Sequence, residues 1–78
     1  MISDSTLEDT IINISKPSDD ETKMTSFDGC HIIRVRFILP KNMKIVFRNC
    51  RVDGYLSMEM DGQPQAIPCG FHPELIFG

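Results

Sequence analysis

The chain has 78 residues, of which 41% are hydrophobic and 24% are charged, and its formal net charge is −3. This length predicts a single domain, 1–78, with a thin core, because such a chain buries only about 60% of its unfolded surface. An apolar run of about 18 residues is missing, and the acidic start lacks the plan of a signal peptide, so we expect no membrane span. An odd count of three cysteines indicates reduced thiols in a cytoplasmic protein.

The charge is unevenly spread along the chain. Residues 1–29 hold seven acidic and two basic side chains, whereas residues 30–78 hold six basic and four acidic ones. This asymmetry indicates an acidic arm followed by a more cationic body.

The first segment, residues 1–15, fits either a strand or a helix. Ser5 and Glu8 have the spacing of a helix capping box. The β-branched residues Ile11 and Ile12 favour a strand instead. A strand is the preferred prediction, and a helix that covers the sheet is the alternative.

Residues 16–29 are predicted to form a flexible acidic loop. Their sequence, KPSDDETKMTSFDG, shows no sustained period. Long loops in small domains are often functional, so Asp19, Asp20 and Glu21 are candidate contacts for basic sites on a partner.

Residues 30–61 are predicted to form a three-stranded antiparallel meander. Apolar and polar residues alternate through three runs, and the first run places Ile33 with Val35 on the apolar face. Pro40-Lys41-Asn42 and Asp53-Gly54 have the composition of hairpin turns.

Residues 62–78 are predicted to form an edge strand and an apolar tail that packs on the core. The fold class is therefore mainly β: a small antiparallel meander sheet, curled or forming a small sandwich or half-barrel. The alternative is α+β with an N-terminal helix. The sequence indicates no internal repeat.

The predicted meander has a second, cationic face. Closing both turns puts Arg34 opposite Arg48, with Arg36 and Lys44 nearby and Tyr55 as the exposed aromatic residue. A face of this kind has spare positive charge for an anionic partner. Together with Asp19, Asp20 and Glu21, these five residues are the predicted partner-binding set.

Histidine and cysteine side chains give the only candidate metal ligands. Cys69 and His72 have usable spacing, and Cys30 could add a third ligand, with His31 and Cys50 as further members. Paired Cys-x-x-Cys motifs are missing, and small buried apolar residues are the commoner role of single cysteines. We therefore predict no metal and no cofactor.

The sequence favours a non-enzymatic protein-binding module. It has neither a Gly-rich phosphate loop nor a complete nucleophile, base and oxyanion set. Its size and acidity resemble, by analogy alone, phage-type anti-defence inhibitors that block a host nucleic-acid-handling complex by occupancy. The alternatives are a nucleic-acid-binding β domain and a small structural zinc protein. An outer strand could also pair with a second copy.

Overall fold

The computed structural model describes residues 2–14, 24–41 and 43–77, and these residues fold mainly into β-strands. They contain no helix, so the mainly-β prediction is confirmed and the α+β alternative is wrong. In particular, they include no helix with the length and apolar content that a membrane crossing requires. The strands are β1 (Ile2–Ser3), β2 (Thr6–Asn13), β3 (Met24–Asp28), β4 (His31–Leu39), β5 (Lys44–Met60), β6 (Gln63–Ile67) and β7 (Gly70–Phe77).

The main strands pair in parallel, so the predicted antiparallel meander is wrong. Thr6 of β2 pairs with His31 of β4, and His31 pairs with Arg51 of β5, with all three strands running the same way. The pairing of β1 with β3 is also parallel, and so is the pairing of β3 with β5. Among the described strands, β6 and β7 alone run antiparallel, both against β5. Alternation of apolar and polar residues suits both directions equally, and therefore did not determine this one.

The chain coils, and each pass adds one layer, which we call a rung. The first rung is β1 with β2, the second is β3 with β4, and the third is β5. β1, β3 and the first half of β5 form a first wall, whereas β2, β4 and the second half of β5 form a second wall. β7 continues the first wall beyond β5, and β6 continues the second.

A corner joins the two walls at the same place in every rung. Asp4, Gly29 and Asn49 occupy it with φ values of 51°, 68° and 52°. This left-handed region costs least for Gly and is tolerated best by Asn and Asp among the other residues. The flanking sequences form a repeat that the sequence analysis missed: ISDSTL at 2–7, FDGCHI at 27–32 and FRNCRV at 47–52. Few residues are identical, and the successive spacings are 25 and 20 residues, which hides the repeat.

A second set of positive φ values lies further along the second wall. Asp9, Arg34 and Gly54 have φ values of 49°, 50° and 77°. The kink shifts the alternation, so that Ile32 and Val35 are both fully buried. The predicted pairing of Ile33 with Val35 on one face is therefore wrong.

The two predicted hairpin turns do not form hairpins. Gly54 supplies a kink inside β5, not a reversal of the chain. Pro40 and Lys41 lie between β4 and β5, whose second half pairs in parallel with β4, while Asn42 lies outside the described residues. Positive-φ residues serve corners and kinks as well as they serve turns, so turn chemistry did not predict the topology.

The sheet curls so that the inner faces of the two walls share one core. Phe27 of the first wall lies 5.3 Å from Phe37 of the second, measured between ring centroids, and 5.2 Å from Phe47. All three rings are buried. This contact confirms the curled form of the predicted sheet.

The segments flanking the predicted meander are partly as expected. Residues 24–28, predicted as loop, form β3, because Phe27 fills the core; residues 15–23 lie outside the described part. The predicted short strand near Gln65 and the apolar tail form β6 and β7. Leu75 and Phe77 pack against the core, whereas Phe71 is 56% exposed.

Candidate functional site

The predicted cationic face does not form a single patch. Arg34, Arg36 and Tyr55 lie on the second wall, whereas Lys44 and Arg48 lie on the first. The predicted pairing of Arg34 with Arg48 is wrong, since Arg48 pairs with Asp28 on one side. The parallel register separates these side chains by a corner.

Arg34 lies against two carboxylates of the first rung. Its Nε and one terminal nitrogen donate to the two carboxylate oxygens of Asp9, the latter bond measuring 2.8 Å. Glu8 approaches the same guanidinium at 3.7 Å. The hydrogen bond from Arg34 lowers the pKa of Asp9, and Asp9 in turn raises the pKa of Arg34. Two carboxylates therefore share one cation at this position.

The other arginines also contact carboxylates of this chain. Arg36 donates to Glu59 at 2.7 Å, and Arg48 lies 3.6 Å from Glu74. Exposed pairs of this kind contribute little to stability, but they neutralise the charge that an anionic partner would need. The structure does not show the predicted spare positive charge at Arg34, Arg36 and Arg48.

His31 and Arg51 share one carboxylate, a cluster that the sequence analysis missed. His31 Nε2 lies 2.6 Å from Asp53 Oδ2, and Arg51 Nε lies 3.4 Å from the same oxygen. The hydrogen bond from His31, aided by Arg51, lowers the pKa of Asp53. The 20-residue spacing between rungs, which places Arg51 beside His31, was the missing signal.

The candidate metal ligands are not assembled. Cys30 and Cys50 are buried one rung apart, beside the corner, and their thiols face backbone carbonyls. Cys69 is exposed and donates to the Gly54 carbonyl, while His72 Nε2 lies 2.7 Å from the Pro68 carbonyl. Within residues 2–14, 24–41 and 43–77, no three His, Cys, Asp or Glu side chains come together as a metal site.

The three acidic loop candidates, Asp19, Asp20 and Glu21, lie outside the described residues.

The first rung presents the most distinctive surface, which we call the open edge. It is the side of β1 and β2 that faces away from β3 and β4, and within the described chain neither strand has a second partner there. The inward residues of the first rung are less buried than those of the second. Leu7 and Ile12 are only partly buried, whereas Ile32 and Phe37, their partners one rung on, are fully buried.

Backbone groups point outward along the same edge. The Ile14 amide donates to the Ile38 carbonyl of β4 at 3.0 Å. Alternation along a strand therefore directs the Ile12 amide to β4 and the Ile11 and Asn13 amides to the open edge. The Ile11 side chain, 63% exposed, lies on the outer face of β2. An edge strand of this kind, with no second partner among the described strands, is a template for strand addition.

The opposite end of the coil is finished differently. β6 and β7 cover β5 as antiparallel strands, and each contains a proline, Pro64 and Pro73. Proline has no amide to donate, and it is one of the devices that protect sheet edges from further pairing. The two ends therefore differ, and β2 contains no proline.

No family model, curated protein or solved structure matches this chain.

Proposed function

We propose that this chain is a non-enzymatic protein-binding module that takes up an extended segment of a partner along the open edge. The observation that carries the proposal is the partial exposure of Leu7 and Ile12, whose counterparts one rung on are buried. A strand added to β2 would cover these side chains and pair with the outward amides of Ile11 and Asn13. Strand addition combines main-chain hydrogen bonds with side-chain specificity.

The proposed consequence of binding is occupancy. A module of this size would act by masking a surface of a larger partner. The proposed mode of action is therefore inhibition of that partner. We place it in the cytoplasm, because its three cysteines are free thiols, the state that a reducing compartment maintains. The nucleic-acid alternative has less support, since Arg34, Arg36 and Arg48 contact the chain's own carboxylates.

The test is selection of a displayed random-peptide library on the wild type and on two variants. Ile11→Pro removes an amide that points to the open edge and leaves the ladder to β4 intact. Ile11→Ala removes the same exposed side chain but keeps the amide. We expect selected peptides to bind wild type and Ile11→Ala and to lose binding to Ile11→Pro.

Circular dichroism and thermal melts verify that Ile11→Pro still folds. If selected peptides bind folded Ile11→Pro as tightly as wild type, the open edge is not the binding site. Asn13→Pro, which removes the other outward amide, provides a second blocking variant with the same expectation.

A further inference from the structure

We infer that the segment accepted by the open edge is basic and carries a glycine, or another residue that tolerates positive φ, beside Asp9. This inference rests on the proposed function and names the chemistry of the partner. It follows from the charge of the first rung and from the kink that recurs in every rung.

The first rung carries only negative charge, all of it in residues 4–9. Residues 2–14 include Asp4, Glu8 and Asp9 and contain no Lys or Arg. Arg34 of the second rung balances only one of the two carboxylates that it contacts, Glu8 and Asp9. A cation on the other side of β2, level with Asp9, would balance the second. Opposite charges across neighbouring strands are stabilising, and like charges are destabilising.

A second copy of this chain fits the open edge poorly. Pairing β2 with β2 of another copy would bring the carboxylates of two acidic strands together. Pairing β2 of one copy with the opposite end of the coil in another would place it beside residues 63–77. These residues contain Glu74 and no Lys or Arg. Charge therefore favours a different, basic partner over self-association.

The kink sets the second requirement. Asp9, Arg34 and Gly54 all have positive φ at the equivalent place in successive rungs. Neighbouring strands are close together at the kink, since a Cβ on Gly54 would lie 2.6 Å from Arg34 Cγ. A further strand stays in register with β2 past this point only if it kinks as well. Glycine adopts positive φ at the lowest cost, and β-branched residues at the highest.

The probes are three capped synthetic peptides in an alternating valine and threonine frame. The first has a central glycine flanked by lysines, the second replaces the lysines with glutamates, and the third replaces the glycine of the first with valine. Binding is followed by the amide chemical shifts of β2 in the full-length protein. We expect the lysine peptide to bind wild type about tenfold more tightly than either of the others at low salt.

Two double variants are compared, and each removes two carboxylates, one pair from β2 and the other from elsewhere. Glu8→Gln with Asp9→Asn should abolish the preference for the lysine peptide. Asp61→Asn with Glu74→Gln removes two carboxylates away from β2, one of them also at positive φ, and should keep the preference. Asparagine tolerates positive φ, so both Asp→Asn changes preserve the backbone.

The possible outcomes separate the two proposals. Equal binding of the lysine and glutamate peptides, lost in Ile11→Pro, overturns the inference about charge and leaves strand addition standing. Equal binding of the glycine and valine peptides overturns the kink requirement. If no peptide shifts the β2 amides, or Ile11→Pro binds as wild type does, both proposals fail. A dimer in sedimentation that Ile11→Pro dissociates shows that the occupant is a second copy, which also overturns the inference.

Discussion

Single residues in this protein take their properties from the rung above or below them. Nothing in the sequence around Cys30 and Cys50 suggests that the two share a role. They nevertheless occupy equivalent places beside the corner and are 2% and 1% exposed. Cys69, outside the three rungs, is exposed. The coil therefore divides three similar thiols into two environments.

This division predicts selective thiol chemistry. In the folded protein, Cys69 should react rapidly with a maleimide, whereas Cys30 and Cys50 should react only on unfolding. Burial restricts access to both and raises the pKa of the Cys50 thiol, which reduces its reactive thiolate. Mass spectrometry should find one label in wild type, none in Cys69→Ser, and three in wild type in urea. Two rapid labels in the folded protein would contradict the burial of the corner.

The carboxyls of Asp9 and Asp53 predict an acid-sensitive part of the stability. Hydrogen bonds from Arg34 and His31 hold the pKa of each below its ordinary range. A lowered folded pKa gives stabilisation that is complete above the unfolded pKa of about 4 and is lost as pH falls through the folded pKa. The free energy of unfolding of wild type should therefore decline from about pH 4 downward.

Urea unfolding at a series of pH values measures this decline. Asp9→Asn with Asp53→Asn should show a shallower decline than wild type. Asp61→Asn removes one carboxyl from the turn between β5 and β6 and serves as the control. An equally steep decline in the double variant would show that other carboxyls carry the acid sensitivity.

At the scale of elements, the strands β2, β4 and β5 are each kinked at a residue with positive φ. Gly54 lies at the kink of β5, facing Arg34, and Gly62 lies in the turn after β5. Their φ values are nearly equal, at 77° and 76°. A Cβ on Gly54 would lie 2.6 Å from Arg34 Cγ, whereas a Cβ on Gly62 meets no atom within 4 Å. An added Cβ would therefore cause backbone strain at both glycines, but crowding between rungs only at Gly54.

Alanine substitutions at these two glycines test the stacking of the kinks. Gly62→Ala should cost about 1–2 kcal/mol through backbone strain alone. Gly54→Ala should cost about 1–3 kcal/mol more, because Arg34 must move and its contact with Asp9 is disturbed. Chemical denaturation measures both. Equal losses would mean that Arg34 gives way freely and that the rungs are not closely stacked at the kink.

At the scale of the whole molecule, one core holds the two walls together. Phe27, Phe37 and Phe47 come from three strands and have ring centroids within 5.2–5.6 Å of one another. Partners in the parallel strands are 20, 21 or 25 residues apart in sequence, so a single rung has little to stabilise it by itself. A small domain with such non-local pairing depends on this shared core for its cohesion.

Truncation of one ring should therefore have a large effect. Phe37→Leu should lower the free energy of unfolding by about 1–2 kcal/mol, and Phe37→Ala by about 3–5 kcal/mol, enough to unfold a marginal domain. Phe71→Ala, at a ring 56% exposed, should change it by less than about 0.5 kcal/mol. Thermal and urea melts provide the comparison. Similar losses at Phe37 and Phe71 would contradict the shared core.

The sequence by itself determined that this protein is made of strands, because alternation and β-branched residues act locally. It also located the apolar tail that forms β7. It did not determine strand direction, since a period of two residues is common to parallel and antiparallel sheets. The dispersal of Arg34, Arg36 and Arg48 follows from rung offsets of 20, 21 and 25 residues. The open edge is exposed because β1 and β2 are the outermost strands in the sheet order. Those offsets arise only when the chain coils and its buried rings meet, so the tertiary structure alone decided which residues share a surface.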